Sequence, residues 1–235
     1  MPPARPAHPA PWFDDLANAA IALAEGDDGG VRAEDAISAA AAAAGEACLM
    51  AAGVFAPDAC PFPPGQLVLS DAVNRLLTGD MTEWEALPEV SAFGLVRDLL
   101  PENHFPPAER PAIVPIFERF AAGAAAQLPG EVPLSLGEAH RPRQPAALSA
   151  LLLRPKVAAL WTQAAVTAGE RHRGCVVAML RVLWDTRDVI APDVALTLAL
   201  ETLVGMAKLA PAGMQAAPAT AQGGFSSLLR RLRNN

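Results

Sequence analysis

Tyrosine is absent from this 235-residue chain, aromatic residues make up 5%, and only Lys156 and Lys208 are lysines. So few aromatics, with almost no alternating polar–apolar pattern, leave little from which to build a sheet. Cysteine is scarce and odd in number: Cys48, Cys60 and Cys175, with no CxxC. That excludes a disulfide framework and a standard zinc cage, and predicts buried thiols in a reducing compartment. Uninterrupted apolar runs are also missing. The nearest to one, Val194–Leu209, contains Glu201 and Lys208 and is too short to span a bilayer. MPPARPAHPAPW at the start lacks the apolar centre of a signal peptide. A soluble, cytoplasmic protein is the expectation. Nucleotide and hydrolase fingerprints are absent as well: there is no GxxxxGK[ST], no GxGxxG after a strand and no GxSxG.

What the chain does have is alanine, proline and arginine, the composition of GC-rich bacterial coding. The net charge of −7 argues against nucleic-acid binding, which requires a basic face. Residues 1–105 carry −12 and residues 106–235 carry +5. This polarity either solvates helix faces or steers a partner or a second copy. We favour solvation.

Helical signals dominate. Residues 1–11 are Pro/Ala-rich and expected to be disordered. Trp12–Ala24 places Asp14 and Asp15 in a first turn, where the helix dipole favours acids. Ala33–Ala52 reads as a long alanine helix. Ser70 and Ser91 are N-caps, and Gly79 is a stop. Thr82 and Glu85 have capping-box spacing. A helix over 112–126 carries Ile113, Ile116, Phe117 and Phe120 at core spacing. Residues 129–145 form a long proline-rich connection of the kind that is often functional or mobile. Three helices are expected next, Ala146–Leu153, Lys156–Ala168 and Arg171–Val189, and Pro192 opens a last one that is apolar nearly all round. The predicted fold is all-α: an irregular multi-helix bundle of about eight helices within a single domain, 12–210. A flexible linker over 211–224 and a basic peptide over 225–235 follow.

Candidate chemistry is sparse. The pattern Glu-x-His occurs at Glu102/His104, Glu138/His140 and Glu170/His172. Spacing of i, i+2 does not place two ligands on one helical face, so we expect no metal and no cofactor. His172, in ERHR, reads as a solvated helix start. Glu201 is the better candidate, as the one acid between Val194 and Leu209 on a helix that should be buried. A buried carboxylate must be paired, hydrogen-bonded or protonated. Arg181 or Arg187 on the preceding helix is the expected partner. Read structurally, the pair fixes helix register. Read functionally, Glu201, Arg181, Arg187 and His172 line a ligand pocket. We favour the structural reading. Glu46, alone in the alanine helix, poses the same question.

The chain ends GGFSSLLRRLRNN. On a helix, Phe225, Leu228, Leu229 and Leu232 form one apolar stripe, with Arg230, Arg231 and Arg233 on the other sides. The pattern suits a partner groove or an anionic membrane. Burying four large side chains offers roughly 6–10 kcal/mol. Ordering the segment costs about 1–2 kcal/mol per residue. The tail is therefore a tether helped by multivalency, docking on a partner or folding back on its own body. Its placement after a Pro/Gly/Ala linker, and its Ser-Leu-Arg composition, resemble the C-terminal peptides that address cargo to encapsulin shells. That resemblance covers the tail alone. Three functions follow. The first is a non-enzymatic adaptor or assembly factor that binds partner proteins. The second is a helical enzyme or small-ligand binder, and the third a peripheral membrane protein held by the tail.

Overall fold

The computed structural model describes residues 12–27, 29–54, 60, 62–124 and 131–211. The Pro/Ala-rich start, nearly all of the linker and the basic tail lie outside them. Among the described residues there are eight α-helices and no strand. These are α1 (Trp12–Leu23), α2 (Ala33–Ala51), α3 (Asp71–Thr78), α4 (Ala92–Leu99), α5 (Ile113–Ala124), α6 (Ala146–Gln163), α7 (Ala168–Thr186) and α8 (Pro192–Met206). None is long and apolar enough to cross a membrane.

The alanine helix α2 is the axis. Helices α1, α6, α7 and α8 all pack on it, and α2 is buried almost from end to end. A helix covered on every side is normally built from large apolar residues. Here alanine serves because the small side chain lets four neighbours approach its backbone. The closest approach is at Gly45, where a Cβ would lie 2.5 Å from the Leu203 carbonyl oxygen of α8. The bulk comes from the neighbours: Met179 and Leu183 on α7, and Leu196, Leu200 and Leu203 on α8, are fully buried.

Short-range signals act as the sequence suggests. The Ser70 and Ser91 hydroxyls accept from the Val73 and Gly94 amides and open α3 and α4. Gly79 ends α3 at φ 67°, a left-handed conformation that favours glycine. Pro192 starts α8 in its first turn. The segment around Leu67 does not build a sheet; it makes one isolated antiparallel bridge to Leu209.

Three expectations are corrected. Helix α6 is continuous where two helices were expected, with Pro155 inside it. Proline removes one helical hydrogen bond, but Leu153 and Val157 on either side of it are anchored in the core. Thr82 caps nothing: Trp84–Ala86 forms only a 3-10 turn, with Glu83 at its N-cap and no side-chain cap. That turn is held instead by Arg97, which donates to the Trp84 and Leu87 carbonyls at 3.1 and 2.8 Å. Helix α7 begins at Ala168, so His172 lies inside it and is buried.

Candidate functional site

Among the described residues three carboxylates are buried: Asp35 and Glu46 on α2, and Glu201 on α8. Each is met by an arginine. Glu46 takes both Nε and Nη2 of Arg154, at 2.5 and 3.0 Å, in a two-point pair. Asp35 accepts from the Arg143 backbone amide at 2.7 Å and from its Nε at 2.5 Å. Glu201 pairs with Arg119 of α5 and accepts from the Ser135 amide at 2.7 Å.

The long connection before α6 is thereby explained. Residues 131–145 form a strap across α2 and α8. Ser135 is fixed to Glu201, and Val132 sits over Gly205 of α8. Ala139 accepts from Arg32, His140 meets Glu34 at 3.0 Å, and Arg143 holds Asp35. Burial raises the Glu34 pKa, but the His140 hydrogen bond and the Arg32 charge outweigh it, so the carboxyl sits below its ordinary value. The acidic first part of the chain thus meets the basic second part inside the body, not only at solvated helix faces.

The residues singled out from sequence do not meet one another. Glu201 is buried and paired as expected, but with Arg119 and not with either α7 arginine. Arg181 faces solvent and bonds Asp185 one turn along its own helix. Arg187 stacks on Trp184 at 4.0 Å and pairs with Asp188. The His104 ring stands perpendicular to that of Trp184, with centroids 5.0 Å apart. Glu138 pairs with Arg141, and Glu170 accepts from the Thr167 hydroxyl. The Glu-x-His pattern therefore joins none of its own members. Among the described residues no cluster of His, Cys, Asp and Glu is arranged to hold a metal. Cys48 and Cys175 are free and buried. Burial pushes the Cys48 thiol up to about 12 and the Cys175 thiol higher still, which leaves both protonated and unreactive.

His172 is 4% exposed, and neither ring nitrogen makes a hydrogen bond of ordinary geometry. Burial lowers its pKa to about 4, Arg173 adds repulsion, and the Val90 backbone opposes weakly. The folded protein therefore holds His172 neutral, while the unfolded chain takes up a proton near pH 6.5. The stability this provides is complete above about 6.5 and is lost as pH falls toward 4. We expect about 2–3 kcal/mol to disappear across that window. Urea unfolding at a series of pH values checks it. His172→Leu should flatten the dependence, and an unaltered pH profile in that variant would remove His172 as its source.

No family model, curated protein or solved structure gives a significant match to this chain. The partner-binding residues expected in the tail, Phe225 to Arg233, lie outside the described residues. The arginines that do engage the buried acids, at 119, 143 and 154, were not singled out from sequence. The usable signal was a lone acid in an apolar helix; nothing local pointed to its partner.

Proposed function

We propose that this chain is a non-enzymatic helical adaptor or assembly factor, with residues 225–235 as the peptide that docks on a partner protein. The observation that carries this reading is the commitment of every buried carboxylate among the described residues to an arginine. An acid–base enzyme keeps at least one carboxylate or imidazole facing a reacting group. Here Asp35, Glu46 and Glu201 are spent on holding helices and strap together. The histidines among the described residues are separately engaged, or enclosed as His172 is. A body of this kind suits a scaffold. The apolar stripe and three arginines of the tail supply what a partner recognises.

The experiment is affinity purification from cell extract with and without residues 223–235, followed by mass spectrometry. The expected result is loss of one or a few partners on deletion, with an unchanged melting temperature. Leu228→Asp in the full chain should reproduce that loss, because it interrupts the stripe. An identical set of partners with and without the tail would overturn the proposal. Flotation with anionic vesicles that depends on Arg230, Arg231 and Arg233, and weakens with salt, would replace it with membrane tethering.

A further inference from the structure

Helices α2, α6 and α7 enclose a cavity of about 220 Å³ that opens to solvent. Its walls are apolar, with Ala43 and Met50 from α2, Val157 and Trp161 from α6. Three charged side chains reach it: Glu46, Arg154 and Arg171. Two of them cancel. Glu46 and Arg154 form the two-point pair described above, so together they bring no net charge. Arg171 has no such match. Its guanidinium lies 4.9 Å from the centre of the Trp161 ring, and it makes no ion pair among the described residues. Its Nε is sealed from solvent with no hydrogen-bond acceptor. The neighbouring acid, Glu170, is turned away to the Thr167 hydroxyl.

A guanidinium with no counter-ion beside an apolar cavity attracts an anion to whichever of its donors face that cavity. We infer that this cavity binds a small monocarboxylate with an apolar body, its carboxylate on Arg171 and its ring or chain against Trp161, Val157 and Met50. The size and chemistry narrow the class. Sites for ordinary small molecules run about 300–1,000 Å³. A cavity of 220 Å³ admits something of the size of benzoate or hexanoate. A phosphate ester is disfavoured: the one arginine outside the Glu46 pair offers too few donors for a dianion, and no glycine lines the wall. This inference is independent of the docking tail, whose removal should leave it untouched.

The test is calorimetric titration of the full chain with benzoate and with hexanoate, using benzyl alcohol as the neutral counterpart of benzoate. At least one of the two acids should bind saturably, with benzyl alcohol about tenfold weaker than benzoate where benzoate binds. Arg171→Gln should reduce binding of the acid by about tenfold, because it removes the charge-assisted contact. Ala158 is exposed at the rim, so Ala158→Phe obstructs the cavity without disturbing the core. It should abolish binding while leaving the thermal melt in place, and it decides the matter if the Arg171 variant folds poorly. Failure of both acids to saturate in the low-millimolar range overturns the inference. So does full-strength binding to either variant.

Discussion

Replacing Arg154 with alanine should lower the unfolding free energy by about 3–5 kcal/mol, the cost of leaving a buried carboxylate without its partner. Glu46 is 3% exposed, in the middle of a helix whose other residues are nearly all alanine. No other residue of α2 beside it can share its charge, and the other cation at the adjoining cavity, Arg171, is stacked on Trp161. The pair is geometrically strong, with two parallel N–H···O bonds, and its arginine is largely buried too. Its net worth is nevertheless modest, because both ions were taken out of water to form it. The double variant Glu46→Met/Arg154→Met should therefore recover most of the loss. Urea unfolding of these variants gives both numbers; adding Arg154→Met and Glu46→Met singly gives the coupling energy, the double-variant loss minus the two single losses. An Arg154→Ala midpoint equal to that of the parent would mean that water from the adjoining cavity solvates Glu46.

The parts of this fold that were legible in sequence are those decided within one turn of chain. Ser70, Ser91, Gly79 and Pro192 act on amides and carbonyls a few residues away, and residue type is sufficient to place them. Pro155 and Thr82 were misread for the opposite reason. What keeps α6 continuous through its proline is the burial of Leu153 and Val157 against other helices. What shapes the turn at Trp84 is Arg97, more than ten residues downstream. The same division runs through the candidate site. That Glu201 must be neutralised follows from its apolar helix alone. That Arg119 neutralises it depends on how α5 crosses α8, and Arg119 is 82 residues away in sequence. Asp35 and Glu46 each find their arginine at a separation of 108. The proline-rich stretch before α6 had the composition of a free loop. It is a strap because the acids of α2 and α8 wait beneath it, which no local pattern reveals.

Gly45→Ala is the sharpest test of that packing, because its expected sign is opposite to ordinary helix propensity. In an exposed helix interior the change stabilises by roughly 0.5–1 kcal/mol. At Gly45 the new Cβ would stand 2.5 Å from the Leu203 carbonyl oxygen, 2.7 Å from the Met206 Cβ and 2.9 Å from the Ala207 nitrogen. Two of those atoms are backbone and cannot swing away like the end of a side chain. Relief requires α2 and α8 to move apart, and α2 is held on its other sides by α1, α6 and α7. A loss of about 3 kcal/mol is expected, the upper part of the range for overpacked cores. For a chain of this length that is a fall of roughly 6–12 °C in melting temperature. Gly169→Ala is the internal comparison. It lies in the first turn of α7 with nothing within 4 Å of the added Cβ, so its melt should stay level or rise slightly. If both variants melt alike, α8 is free to slide along α2. The pairing of Glu201 with Arg119 then cannot be what sets the register of that crossing. If only Gly45→Ala falls, the alanine surface of α2 is the reason the chain can bring helices this close, and its composition is a packing requirement.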